Sequence, residues 1–295
     1  MSQRLFVDGA AGTVGMAIMP HLKQMLKDGL LGEVVMLGDD CRKVRDARLA
    51  AMAEADIVLL CLPDDVARDA ALMARETNPD LCILDTSAAH RCDDEWEYGM
   101  PELVRESALC TAKYVANPGC IATGCILLAQ PLSMWHRPDL PKGEPGLPWM
   151  AFQAATGYSA GGSKGKASSD MPYLAKLGVA HRHLPEIQRY AKVTPTLTTL
   201  VGDWYQGMLV QSSVPVPAAE VYEAYMRAYG EMKHIAVQLA GPEGRRLSAQ
   251  EKNWTNDVRI VVAEQPFGSV VTAVYDNLGK GSAGAAAHNL RLMLS

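Results

Sequence analysis

The 295-residue sequence predicts an α/β protein built as a doubly wound parallel sheet followed by an α+β domain with a largely antiparallel sheet. Three observations lead there. The length suits about two domains, each large enough for its own core. The N-terminal part alternates apolar strand-like runs with helical stretches, the pattern of parallel βαβ units. From Thr196 onward strand-like runs instead follow one another with a single amphipathic helix among them, the pattern of an antiparallel sheet with helices on one face.

Composition narrows the class. The chain is 48% hydrophobic and 21% charged, with a formal net charge of −5 that argues against nucleic acid or an anionic membrane as the main partner. No apolar run approaches the length of roughly 20 residues that spans a bilayer. MSQRLFVDG enters a predicted strand directly, so the reading is of a cytoplasmic protein without a leader. Seven cysteines (Cys41, Cys61, Cys82, Cys92, Cys110, Cys120, Cys125) without regular spacing read as reduced thiols, and no CxxC pair suggests a metal site.

The first strand, Leu5-Phe6-Val7-Asp8, runs into Gly9-Ala10-Ala11-Gly12-Thr13-Val14-Gly15. A strand ending in spaced glycines and opening a helix has the physics of a dinucleotide site. The glycines allow a tight turn and close approach of backbone to pyrophosphate, and the helix N-terminus receives the phosphates. Pro20 predicts a kink or an early break in that helix. A second strand is expected over 33–37, a helix over 42–53, a third strand over 56–62, a helix over 63–76 opened by Pro63-Asp64-Asp65, and a fourth strand over 81–85. In this Rossmann-type context the end of the second strand selects the cofactor. Asp39 and Asp40 suit ribose hydroxyls, Arg42 and Lys43 suit a 2′-phosphate, and the residues alone leave NAD and NADP open. Asp85-Thr86-Ser87-Ala88-Ala89-His90-Arg91 follows the fourth strand at the carboxyl edge of the sheet, where Arg91 is either a grip for carboxylate or phosphate or a surface ion pair.

The chemical centre is Ala116-Asn117-Pro118-Gly119-Cys120-Ile121-Ala122-Thr123. It sets one cysteine just after a Pro-Gly turn and just before an apolar helix-like run from Thr123 to Leu132. Unpaired N–H groups and the positive end of the helix dipole favour a thiolate there, so Cys120 is the candidate nucleophile. A proline-rich connection over 132–147 leads to a strand over 149–156 and then to Gly157-Tyr158-Ser159-Ala160-Gly161-Gly162-Ser163-Lys164-Gly165-Lys166. That loop is too glycine-rich for regular structure and offers N–H groups, Ser159, Ser163 and Lys164 to a phosphate, or is a plain surface loop. His181-Arg182-His183-Leu184-Pro185-Glu186 is the second cluster. In an extended segment the two histidines share a face with Arg182 opposite, placing a proton-transfer group beside a cation. Strands are then expected over 196–201, 207–215, 234–239, 258–264 and 269–275, a helix over 218–229, and a turn at 276–284 feeding a closing helix over 285–294.

Five segments together resemble the shorter type of N-acetyl-γ-glutamyl-phosphate reductase of arginine biosynthesis, within the semialdehyde dehydrogenase superfamily. They are Val7–Gly15, Leu60-Cys61-Leu62-Pro63-Asp64-Asp65, Asn117-Pro118-Gly119-Cys120, His181–Glu186 and Asp276-Asn277-Leu278-Gly279-Lys280-Gly281, in the family's order across almost the whole chain. The resemblance implies an NADP-binding Rossmann domain over 1–116, with the final helix (about 277–295) returning to it, and a catalytic and oligomerisation domain over 117–276. It assigns NADP(H) to Gly9, Ala11, Gly12, Thr13, Val14, Gly15, Arg42, Lys43, Cys61, Pro63, Asn277 and Gly281, and catalysis to Cys120 with His181, His183 being the fallback. Ser87, Arg91, Asn117, Ser159, Lys164, Arg182 and His183 are the implied contacts to an acyl-phosphate substrate and to phosphate. A homo-oligomer, dimer or tetramer, is implied, with no metal. The chemistry so implied is thiolate attack on the acyl phosphate, hydride transfer to the thioester, and proton donation by His181 as the thiohemiacetal collapses. Two departures stand out: Ile121 where the family has an aromatic residue after the nucleophile, and the extra small residues Ala160 and Ser163 in the Gly-rich loop. A reductase of an aspartyl or aminoadipyl phosphate is the close alternative. A non-catalytic Rossmann nucleotide sensor is the distant one.

Overall fold

A computed structural model describes residues 3–133, 147–241 and 246–295. The expected connection over 132–147 therefore falls largely outside the described residues. The chain divides into two compact units, Met1–Gly119 with Ser282–Ser295, and Cys120–Gly281.

The first unit contains β1 (Gln3–Asp8), α1 (Thr13–Lys27), β2 (Leu31–Val35), α2 (Arg45–Ala53), β3 (Ile57–Leu60), α3 (Asp64–Thr77), β4 (Cys82–Asp85), β5 (Glu97–Tyr98), α4 (Glu106–Thr111) and β6 (Tyr114–Ala116). The strands form a parallel six-stranded sheet in the order β2-β1-β3-β4-β6-β5. Side chains alternate between two cores. Leu5, Val7, Ile57, Leu59 and Leu84 face one, whereas Phe6, Val58, Leu60 and Ile83 face the other, so these strands read as continuous apolar runs. The order reverses between β1 and β3, which places the turn after β1 at the switch point where such sheets bind ligands.

Pro20 neither breaks nor shortens α1, which runs on to Lys27, so the early break weighed from the sequence does not occur. Its missing N–H leaves the Met16 carbonyl without its intrahelical donor, but Met16 is 60% exposed and water can serve that carbonyl. The second strand begins two residues earlier than expected, and the predicted helix over 42–53 starts only at Arg45. Residues 38–44 instead form a hydrogen-bonded turn, with the N–H groups of Cys41 and Arg42 both donating to the Gly38 carbonyl.

The second unit contains α5 (Cys120–Ser133), β7 (Trp149–Thr156), β8 (Tyr173–Ala175), α6 (Leu184–Ala191), β9 (Thr194–Val201), β10 (Met208–Val214), α7 (Ala218–Tyr229), β11 (Ile235–Leu239), β12 (Val258–Gln265) and β13 (Gly268–Tyr275). The sheet order is β11-β12-β13-β10-β7-β9-β8. Its pairings are antiparallel except β7–β9 and β11–β12, which makes the sheet mixed. α5 lies against β10 and β13, flanked by α6 on β9 and α7 on β11 and β12. A π-helical turn, Gly279–Ala283, leads into α8 (Gly284–Met293), whose Ala286, Ala287 and Leu290 pack in the first unit's core with Leu5 and Val7.

α5 also carries a proline, Pro131, but Leu127, four residues back, is fully buried, so its orphaned carbonyl cannot turn to water. Tyr229 on α7 supplies the donor: its hydroxyl bonds the Leu127 carbonyl at 2.9 Å, and the Tyr225 hydroxyl bonds that of Leu128.

Candidate active site

In the first unit the loop after β1 is shaped as a cradle. Gly9 has φ +88°, and a Cβ there would lie 2.4 Å from the Cys61 carbonyl oxygen; at Gly15 it would lie 2.6 Å from the carbonyls of Gly9 and Ala10. Gly12 is the N-cap of α1 and no side chain caps it, which leaves the first N–H groups of that helix for an anion. These features fit a dinucleotide pyrophosphate. Gly9, Ala11, Gly12, Thr13, Val14 and Gly15 form the loop, Cys61 backs it with its carbonyl, and Pro63 caps α3 next to it. Gly9→Ala is expected to combine backbone strain with a collision, weakening dinucleotide binding by about tenfold or more. A fluorescence-quenching titration reads this out, and wild-type affinity in the variant would remove the loop from the binding site.

Beneath the cradle, Asp8 is 4% exposed and receives two hydrogen bonds on Oδ2 from Arg48, from Nη2 at 2.6 Å and Nε at 3.0 Å. Burial raises the Asp8 pKa, and the Arg48 guanidinium opposes the rise. The sequence reading missed Arg48 because a lone arginine within a helix carries no local signal. Arg42 and Lys43 lie on the turn after β2, Arg42 paired with Asp39 at 2.7 Å.

At the carboxyl edge of β4, Asp85 organises the next segment. Its carboxylate accepts from the Ser87 hydroxyl (2.7 Å), the Ser87 N–H (2.9 Å) and His90 Nδ1 (2.7 Å), and His90 stacks on Trp96. Arg91 is buried and donates from Nε to the Asn117 carbonyl and from Nη2 to that of Thr86. It is thus not the surface ion pair weighed as one alternative. Asn117 is held in turn by α8: Asn289 Nδ2 bridges the Gly99 carbonyl and Asn117 Oδ1. Ser87, Arg91 and Asn117 are therefore one network supporting the segment that leads to Cys120.

In the second unit Cys120 is the first residue of α5 and lines a cavity of about 560 Å³. Lys164, His181, Arg182 and His183 line the same cavity, together with Lys176, Tyr158 and Ile121. Three cationic side chains face it, and among the described lining residues there is no carboxylate, an electrostatic match for an anionic ligand. Lys176 was missed as well; its left-handed backbone (φ 54°) depends on the surrounding turn, which no single residue announces.

The histidine pair does not lie in an extended segment. His183 is the αR N-cap of α6, so the two rings meet through a turn, with centroids 4.6 Å apart. The His183 N–H donates to His181 Nδ1 (3.1 Å), which places the proton of neutral His181 on Nε2. Burial, with the nearby charges of Lys176 and Arg182, lowers the His181 pKa to about 4. His183 is 2% exposed, its Nε2 is 3.9 Å from the Glu186 carboxyl, and Glu186 is equally buried.

The Gly-rich segment departs from expectation too. Tyr158–Lys164 forms a 3-10 helix interrupted at Gly162 (φ 63°), the glycine absorbing a kink that other residues resist. Ser159 is buried, its hydroxyl accepting from Asn277 Nδ2, while Asn277 Oδ1 takes the Gly207 N–H. The Ser163 hydroxyl lies outside the described residues. Gly281 packs on Cys120, where a Cβ would come within 3.0 Å of the cysteine Cβ. Within the second unit, then, Ser159 and Asn277 serve its internal framework and Gly281 makes room for Cys120.

Comparison with known proteins gives the class first. Residues 6–109 match the family model for the semialdehyde dehydrogenase NAD binding domain, and residues 120–277 match that for the semialdehyde dehydrogenase dimerisation domain. Aspartate semialdehyde dehydrogenase II from Vibrio cholerae superposes with a TM-score of 0.73 over 99% of this chain and 98% of that one; at 14% identity it shares the fold. Among sequences, the N-acetyl-gamma-glutamyl-phosphate reductase of Burkholderia lata is 36% identical over 100% of this chain and 97% of its own length. N-acetyl-gamma-glutamyl-phosphate reductase 2 of Pseudomonas putida is 35% identical over 98% and 96%. The chain belongs to the N-acetyl-gamma-glutamyl-phosphate reductase family. No helix among the described residues is long and apolar enough to cross a membrane.

Proposed function

We propose that this protein reduces N-acetyl-γ-glutamyl phosphate to N-acetylglutamate semialdehyde with NADPH, through a thioester on Cys120, in arginine biosynthesis. The observation that carries the reading is the cationic cavity that holds Cys120, at the start of a helix, together with two histidines. Lys164, Lys176 and Arg182 would hold the phosphate and carboxylate of the substrate. Cys120 attacks the acyl carbon, the bond to the phosphate oxygen breaks, and phosphate leaves. His183 takes the thiol proton and returns it to the leaving phosphate oxygen, its ring supported by Glu186. His183 fits better than His181, whose Nδ1 already accepts the His183 N–H and whose pKa of about 4 makes it a weak base near neutral pH. A dinucleotide held on the Gly9–Gly15 loop would supply the hydride that reduces the thioester. Collapse of the resulting thiohemiacetal then releases the aldehyde and restores the thiolate, which regains a proton.

The first unit would hold the dinucleotide and the second the substrate. Arg42 and Lys43 would read the 2′-phosphate, so Arg42→Ala/Lys43→Ala is expected to raise the KM for NADPH about tenfold, the scale of one charge-assisted contact, and to leave that for NADH unchanged. The sheet face opposite α5 and α7, which exposes Trp149 and a Gln153–Gln211 pair, would associate with a second copy. The test of function is reduction of NADP by N-acetylglutamate semialdehyde, followed with and without inorganic phosphate. Phosphate dependence is the expected result. Turnover that ignores phosphate excludes the reaction, and preference for another semialdehyde moves the substrate within the superfamily.

A further inference from the structure

The first turn of α5 contains a contact that the reaction as described does not use. Tyr275, the last residue of β13, is fully buried. Its hydroxyl donates to the Cys120 carbonyl at 2.6 Å and accepts from the Gly124 N–H at 3.1 Å. These are the two groups that the opening turn of a helix pairs with each other. The space for the hydroxyl exists because residue 124 is glycine: a Cβ there would lie 2.5 Å from Tyr275 Oη.

We infer that Tyr275 is a positioning residue for Cys120, its hydroxyl bridging the Cys120 carbonyl and the Gly124 N–H so that a central strand, and not a fraying helix end, sets where the sulfur sits. The inference rests on Cys120 being the nucleophile. Helix termini are the least fixed part of a helix, because their backbone groups lack intrahelical partners. Cys120 stands at such a terminus, and catalysis through it demands placement to a fraction of an ångström. β13 lies between β10 and β12 and is bonded along its length on both sides, so a side chain rooted there is a rigid reference. The hydrogen bond to the Cys120 carbonyl also polarises the Cys120–Ile121 peptide, whose N–H is one of the first-turn donors available to a thiolate. Burial raises the Tyr275 pKa well above its usual value, so the hydroxyl keeps the proton it donates.

Tyr275→Phe removes the oxygen alone. The Cys120 carbonyl and Gly124 N–H can then pair directly, so the fold is retained. Gly124→Ala approaches from the other side, leaving the tyrosine but excluding its hydroxyl. For both variants kcat is expected to fall about tenfold or more with KM changed less than about threefold, because placement of the nucleophile is lost and substrate binding is not. The pH midpoint of Cys120 alkylation by iodoacetamide, followed by mass spectrometry of the cysteine peptide, is expected to move upward in both. A merely structural tyrosine would lower the melting temperature and leave the kcat and alkylation midpoint of the folded protein at wild-type values, which overturns the inference. Cys120→Ser, run alongside, separates the two levels. If it keeps near wild-type turnover, the reading of Cys120 itself fails whatever Tyr275→Phe does. If it is inactive while Tyr275→Phe behaves as wild type, only the positioning role falls.

Discussion

Cys120→Ser is expected to lower turnover of the semialdehyde by roughly 10⁴-fold, the scale seen when a nucleophile is removed from a preorganised site. A serine hydroxyl has the same place at the head of α5 but is not ionised near neutral pH, and the few N–H groups of a helix start do not overcome that difference. Dinucleotide affinity is expected to be retained, because Cys120 is not part of the Gly9–Gly15 loop proposed to hold the pyrophosphate. Steady-state rates and a fluorescence titration on the same preparation test both halves. The competing picture, a protein that binds a nucleotide as a signal, predicts no activity to lose and no protection or sensitivity towards iodoacetamide that depends on Cys120. Turnover within tenfold of wild type in the serine variant would falsify the covalent route.

The histidine pair carries the second large effect. His183→Asn is expected to lower kcat by about 10²–10³-fold and to flatten its pH profile, as removal of a general acid–base group does. His181→Asn is expected to cost less than about tenfold, since neutral His181 serves as acceptor for the His183 N–H and shapes the turn. The opposite ranking would return the proton-transfer role to His181. His181 has a separate signature in stability. Its folded pKa of about 4 lies below the ordinary histidine value, so between that value and 6.5 the unfolded chain binds more protons than the folded one. The stabilisation is fully present above 6.5 and is lost as the pH falls towards 4. Denaturant midpoints measured across this window are expected to drop on acidification, and to drop less in His181→Asn.

The fold was readable where the chain repeats a simple physical rule. Apolar runs such as Ile57–Leu60 are buried on both faces of a parallel sheet, so their strand character needs no knowledge of neighbours. Where an outcome depends on what surrounds a residue, local reading failed. Pro20 and Pro131 look alike in sequence, yet one leaves its carbonyl to solvent and the other to a tyrosine nearly a hundred residues away. The parallel pairings β7–β9 and β11–β12 were hidden for a similar reason, since strands that follow one another in sequence do not reveal which edge they join.

The residues of the candidate site divide in the same way. The residue types proposed to react, and their order, are legible in short patterns: a glycine loop after a strand, a cysteine after Pro-Gly, and a histidine pair before Pro-Glu. Each is a short-range constraint that backbone geometry imposes on a few neighbouring residues. The rest is set by contacts between distant parts of the chain. Folding gathered Lys176 with Lys164 and Arg182 around Cys120, and it held Arg91 on the backbone carbonyls of Thr86 and Asn117. It spent the two ends of the Asn277 amide on the second unit's own framework and brought the Tyr275 hydroxyl to the carbonyl of Cys120. Charge fields and buried hydrogen bonds are made between residues far apart in the chain, so the spacing that encodes a loop or a helix start carries no record of them.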